Sequence, residues 1–178
     1  NILDSLFNYI KDLKLNEPSE WGNYYTKTNY EVAAFDAKKE LIKKWTTALN
    51  PQKLIDVGGN DGTFARTVLD KVPHVIVTDI DSNSVDYNYR QVQKNKEPNM
   101  LPFVCDVLQP APGVGFNNTE RASLIERLKE YAPDVTLALA LIHHITLSGN
   151  VPFEKSAEFF ATFSKNLIIE FPKRDDSW

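Results

Sequence analysis

Three acids stand at the ends of three short apolar runs: Asp56 in "KLIDV", Asp79 in "HVIVTD" and Asp106 in "LPFVCD". Gly58, Gly59 and Gly62 follow the first of them, with Asn60 between. Glycines let a backbone turn sharply and approach a ligand with no side chain in the way. Carboxylates accept hydrogen bonds from hydroxyls and amines. A fourth apolar run, "DVTLALALI", leads into His143-His144. An imidazole with an unperturbed pKa near ~6.5 can take up or release a proton close to neutrality. The set suits a ligand rich in hydrogen-bond donors, beside a group that moves a proton.

The loop spacing narrows the ligand. Asp56, Gly58, Asn60 and Gly62 read D-x-G-x-N-x-G. The dinucleotide pattern G-x-G-x-x-G, counted from Gly58, needs glycine at Asn60 and at Thr63, and no Gly-Lys-Ser/Thr follows to make a phosphate loop. A diphosphate is repelled by an acid at the loop entrance. A ligand carrying an ammonium and a sulfonium is not, and S-adenosylmethionine (SAM) is such a ligand. Its amino acid end fits over the glycine turn, with its carboxylate on backbone N–H groups. Asp79, about 20 residues past the loop, then accepts from both ribose hydroxyls, and Asp106 accepts from the adenine amine. The alternatives are a plain strand-to-helix turn for the loop and a helix N-cap for Asp79 together with Asp81 or Ser82. Asp81 competes with Asp79 for the ribose, and we assign it to the cap.

These residues need elements to hold them. The five apolar runs, ending with "NLIIEF", are short and do not alternate cleanly, as expected for strands covered on both faces. Helical stripes separate them: Phe64, Ala65, Val68, Leu69 and Val72; Val85, Tyr89 and Val92; Leu124, Ile125, Leu128 and Tyr131; Phe153, Ala157, Phe160 and Ala161. Alternating strand and helix predicts a doubly wound α/β sheet with right-handed crossovers, whose ligands bind beyond the C-terminal strand ends. Two helical patterns precede it. One carries Ile2, Leu3, Leu6, Phe7, Ile10 and Leu13. The other runs from about Tyr30 to Leu49 with Leu41, Ile42, Trp45, Ala48 and Leu49 on one face, and it leaves Lys38, Lys39, Lys43 and Lys44 on the solvated side. The division expected is a helical lead or lid over residues 1–50 and a ligand-binding core over residues 51–178. The chain starts inside a helical pattern and stops just after the fifth run, so a piece of a longer protein is expected.

"LIDVGGNDGTFAR", "VIVTDID" and "FVCD" resemble the first three motifs of class I SAM-dependent methyltransferases. "GFNNTERASLIERL", "DVTLALALIHHITLSGNVPFEK" and "NLIIEFPKRDDSW" resemble the nodulation-protein-like branch of that superfamily, from about Trp21 onward. The resemblance implies a Rossmann-like sheet in the order 3-2-1-4-5, with further C-terminal strands beyond this chain. It implies SAM as cofactor, S-adenosylhomocysteine as product, and Asp56, Gly58, Gly59, Asn60, Gly62, Asp79, Ile80, Asp106 and Val107 as the cofactor-binding set. It leaves the methyl acceptor open. Many class I members have glycine where Asn60 stands; the nodulation-like branch shares the asparagine.

Methyl transfer asks the protein to hold an acceptor in line and to remove a proton if one is lost. His143 and His144 are the candidate bases, and packing beside the cofactor is the competing role. A metal site is not expected, since adjacent histidines seldom converge on one ion and Cys105 is the only thiol. Asn150 sits in a turn before Pro152 and reads as a loop cap. Glu170, with Lys173 and Asp175, reads as a surface ion pair or an acceptor-side cluster, and Trp21, Tyr24, Tyr25 and Tyr30 as a lid or as packing. The 178 residues, 42% of them hydrophobic, allow one domain with a full core. A net charge of -4 and a pI near 5.4 argue against a dedicated nucleic-acid binder, so a small-molecule acceptor is favoured over nucleic acid or protein. One cysteine and no apolar run long enough to span a bilayer point to the cytoplasm and away from the membrane. The reading is a SAM-dependent methyltransferase of unknown acceptor. A non-catalytic SAM-binding subunit is its first rival, and an NAD(P)-dependent oxidoreductase its second.

Overall fold

The computed structural model describes residues 1–13 and 32–172. Helix α1 (Ile2–Lys11) comes first, then α2 (Val32–Leu49). The core follows as β1 (Lys53–Val57), α3 (Thr63–Arg66), β2 (His74–Asp79), α4 (Ser82–Asn95), β3 (Met100–Val104), α5 (Leu124–Tyr131), β4 (Val135–Ala138), α6 (Phe153–Ala161) and β5 (Asn166–Ile169). All strands are parallel, in the order β3-β2-β1-β4-β5. The five strands are those read from the apolar runs, and their order is the one the resemblance implies. No helix among the described residues is long and apolar enough to cross a membrane.

The central strand alternates between two cores. Leu54 packs on one face with Val68, Val72, Val75 and Val135, and Ile55 and Val57 pack on the other with Leu124, Leu128 and Phe160. Burial on both faces explains why the strands read as unbroken apolar runs.

Several expectations are corrected. The stripe from Phe64 to Val72 forms one helical turn, α3, followed by i→i−3 turns such as Thr67 N–H to Phe64 O and Lys71 N–H to Val68 O. β-Branched Thr67 and Val68, with Pro73 close behind, disfavour a longer helix; Val68 and Val72 are buried nonetheless. β4 stops at Ala138, short of the expected Leu141, and Ala140 takes a positive φ of 50°. In α4 the buried stripe is Ser84, Val85, Asn88 and Val92, and Tyr89 is exposed. In α6 the buried residues are Ser156 and Phe160, not Phe153.

The largest correction concerns α2. Its inward residues are Phe35, Lys38, Ile42 and Thr46, while Leu41, Trp45 and Leu49 face out. Steps of three and four residues put Phe35, Lys38, Ile42 and Thr46 on one stripe. Seating Phe35 and Ile42 on the core therefore carries Lys38 inward, leaving its side chain only 14% exposed. Helix α1 has the predicted amphipathic pattern, and its apolar residues, such as Phe7, stay exposed.

Candidate functional site

The turn after β1 is tied to β2 before it bends. Gly58 N–H and Gly59 N–H both donate to the Thr78 carbonyl, at 2.8 and 2.9 Å. Gly58, Asn60 and Gly62 take φ values of 72°, 49° and 78°. Asparagine tolerates the left-handed region better than most residues, which suits Asn60 to its positive φ. The three glycines do different work. A Cβ on Gly58 would lie 3.0 Å from Leu141 Cδ1. One on Gly59 would sit 2.7 Å from Asp56 Cγ and 2.8 Å from Val77 Cγ1, and one on Gly62 would sit 2.7 Å from Asn88 Nδ2.

A cleft of about 230 Å³ opens at the C-terminal ends of the strands. Of the expected cofactor set, Asp56, Gly58, Gly59, Asn60, Asp79, Ile80, Asp106 and Val107 line it. Gly62 does not; it packs the loop against Asn88 of α4. The histidines part company. His144 lines the cleft, while His143 does not, although the two rings are 4.1 Å apart between centroids. His144 opens a π-helical turn, His144–Ser148, that follows the early end of β4.

Asp79 and Asp81 also separate. Asp79 Oδ2 accepts from Asn60 N–H at 2.8 Å, and Oδ1 accepts from Asp81 N–H at 2.9 Å. Each oxygen keeps a further lone pair for a ligand hydroxyl. Asp81 caps α4, accepting from Asn83 N–H at 2.9 Å and from the Ser84 hydroxyl at 3.1 Å. Asp106 Oδ1 accepts from Leu108 N–H at 2.8 Å, which shapes the loop after β3.

Asp56 is 1% exposed, and neither carboxylate oxygen makes a hydrogen bond at standard geometry. Burial pushes its carboxyl up to about 7. The Lys38 ammonium opposes the rise, the charges of Asp79 and Asp61 add to it, and the nearby Ala65 N–H exerts only a weak downward pull. Burial also raises Asp79, against the backbone N–H groups of Asp81 and Asn60. Burial and then Asp106 push the Cys105 thiol up to about 11, so it stays protonated and is a poor nucleophile.

Sequence reasoning missed Lys38, Phe64, Leu141 and Ser148, all of which line the cleft. The spacing of Lys38 from Phe35 and Ile42 is the signal that identifies it. Lys38 Nζ donates to Glu170 Oε2 at 2.7 Å and lies 4.3 Å from the Phe64 ring centroid. Glu170 therefore pairs with α2. Its expected partners Lys173 and Asp175 lie outside the described residues, as do Trp21, Tyr24, Tyr25 and Tyr30. Asn150 is exposed in its turn, at φ 52°.

Comparison with known proteins agrees with this architecture. No family model matches the chain. The nodulation protein NoeA of Rhizobium meliloti (strain 1021) is 29% identical over 181 residues, an alignment covering 99% of this chain and 37% of NoeA. The chain thus spans little more than a third of that relative. The bifunctional kinase-methyltransferase WbdD superposes with a TM-score of 0.61 at 15% identity, over 97% of this chain and 36% of WbdD. A putative caffeoyl-CoA O-methyltransferase from Staphylococcus aureus gives a TM-score of 0.54 at 11% identity, over 95% of this chain and 65% of its own. The solved structures and the sheet order agree on one fold, a Rossmann-like parallel sheet in the order β3-β2-β1-β4-β5 flanked by helices.

Proposed function

We propose that this chain, which has the class I methyltransferase fold, binds SAM in the cleft above β1, β2 and β3 and transfers its methyl group to an acceptor. The observation that carries the reading is Asp56. A buried carboxyl that lines a cleft, with neither oxygen in a hydrogen bond of standard geometry, fits a ligand that brings a cation to it. The rest of the cleft agrees. Asp79 holds its carboxylate ready for a ribose diol, and Asp106, in the loop just after β3, is placed for the adenine amine. Gly58 leaves its place clear of side chain beside Leu141 for the amino acid end. Ile80, Val107 and Leu108 supply apolar walls for a nucleoside. Three carboxylates in one cleft disfavour a dinucleotide diphosphate.

When bound, SAM supplies an activated methyl group on a sulfonium. The protein's share is to hold the acceptor in line, exclude water and receive a proton if the acceptor loses one. His144 is the group that lines the cleft and can take that proton on an imidazole nitrogen. The His143 ring lies against it, 4.1 Å between centroids.

Isothermal titration with SAM, S-adenosylhomocysteine and NAD tests the reading. Binding of both adenosyl ligands without NAD is expected. Affinity for NAD comparable to that for SAM would sink it.

A further inference from the structure

Helix α1 has an apolar face that its own chain leaves bare. Ile2, Leu3, Leu6, Phe7, Ile10 and Leu13 recur at steps of three and four residues, and each is between 51% and 86% exposed. No residue of α1 is buried. A capping box holds its first turn: Asn1 Oδ1 accepts from Leu3 N–H at 2.8 Å and from Asp4 N–H at 3.1 Å. A cap alone does not secure ten residues of helix in water; a packed apolar face does.

Helix α2 leaves a second stripe bare. Leu41, Trp45 and Leu49 follow at steps of four and are 42% to 46% exposed, while Ile42 and Thr46 take the core. Exposed Ala34, Ala37 and Ala48 lie among them, and side chains this small let a partner helix approach closely. Among the described residues, no other helix exposes three large apolar side chains on one face.

We propose that α1 of one copy of this chain docks on the outer stripe of α2 in a second copy, and that the exchange, made both ways about a two-fold axis, forms a dimer. Within one chain both faces meet solvent, so they are not joined to each other there. Charge selects the cross pairing. α1 and its C-cap carry Asp4 and Asp12 against Lys11, and α2 carries Lys39, Lys43 and Lys44 away from the core against Asp36 and Glu40. α1 on α2 sets an acidic surplus on a basic one; α1 on α1, or α2 on α2, sets like on like. Size points the same way. A large apolar side chain removes roughly 60–120 Å² from water when it is covered. With nine such side chains in each of two contacts, the dimer removes roughly 1,000 Å² or more, the size a specific interface needs, and one contact alone falls short.

Sedimentation velocity of the 178-residue chain over a concentration series tests this. Wild type should dimerise, and a wild-type chain that stays monomeric overturns the proposal. Leu6→Glu should weaken the dimer about a thousandfold, because a central apolar contact is worth roughly thirtyfold and the symmetric dimer loses it twice. The double variants Leu6→Glu/Phe7→Glu and Leu41→Glu/Trp45→Glu should each be monomeric, with cooperative unfolding retained, since all four side chains are exposed. An equimolar mixture of the two should recover a dimer weaker than wild type, because the intact α1 of one variant meets the intact α2 of the other. A mixture that stays monomeric overturns the exchange. So does a dimer of wild-type strength in Leu6→Glu/Phe7→Glu, which would place the interface on another face. If Leu41→Glu/Trp45→Glu fails to fold, that last measurement decides alone.

Discussion

Asn60 N–H and Asp79 Oδ2 are joined by a 2.8 Å hydrogen bond that ties the glycine loop to the end of β2. The same carboxylate accepts from Asp81 N–H, so one side chain braces two backbone turns and still faces the cleft. Removing it should therefore reach the ligand in two ways. Asp79→Ala is expected to weaken SAM binding about ten- to a hundred-fold, the scale of a lost charge-assisted hydrogen bond. Asp81→Ala removes an N-cap and should cost about 1 kcal/mol of stability with little change in affinity. Titration and thermal unfolding of both variants check this. Equal losses of affinity would show that the wrong acid was chosen.

Gly58 and Gly59 should fail differently. Gly58→Val puts branched carbons toward Leu141 in the cleft and forces a β-branched residue to φ 72°, at a cost on the order of 1–3 kcal/mol. Unfolding should stay cooperative with a moderately lower midpoint, while SAM adds no stability. Wild type should gain RT ln(1 + [L]/Kd). Gly59→Ala drives a methyl into Asp56 and Val77, so stability should fall first and binding only in proportion. Paired unfolding curves with and without SAM separate the two. A folded Gly58→Val chain with the full ligand shift would remove the loop from the site.

Asp56 should make the chain pH-sensitive. Its folded carboxyl is raised from 3.8 to about 7. Between those values the folded state keeps a proton that the unfolded state has lost. Stability from this group is thus fully present below 3.8 and falls as pH rises toward about 7. A cationic ligand favours the ionised form, so its binding should tighten over the upper part of the same window. Lys38, Asp79 and Asp61 all act on this group, so the control is Asp56→Asn, which should flatten both profiles. Chemical denaturation and titration across the window measure them; a mutant profile that matches wild type refutes the assignment.

Arg66 should be a fulcrum of the loop. Its Nε donates to both Glu97 oxygens, at 3.2 and 3.1 Å, one terminal nitrogen donates to Asn88 Oδ1 at 2.6 Å, and the other to the Asp61 carbonyl. Arg66→Ala should cost about 2 kcal/mol, read as a lower denaturant midpoint at unchanged slope. Arg66→Lys should recover less than half, because a point charge cannot serve three directions at once. Full recovery by lysine would reduce the fork to simple charge.

The sheet and the acidic strand ends were legible because their signals are local. An apolar run, an acid and a glycine cluster lie within a few residues of one another at β1. The register of the helices was less legible. Trp45 looked like a core residue and Lys38 like a surface one, and the structure reverses both. The partner that makes an inward lysine tolerable, Glu170, is 132 residues away; helical periodicity counts apolar residues and cannot see it. The different places of Asp79 and Asp81 were legible, since only the earlier acid ends the strand and the later one caps the helix. The split between His143 and His144 was not, because it depends on β4 stopping at Ala138 and on the turn that follows.

The Thr78 carbonyl receives two amides, Gly58 and Gly59, at the root of a loop in which three of the five residues from 58 to 62 are glycine. That shared acceptor pins a glycine-rich stretch to the end of β2. Both amides should exchange slowly with deuterated water even without ligand, on the timescale of the buried strands and not of surface loops. A ligand then lands on a floor already laid, and the loop surrenders little mobility to receive it.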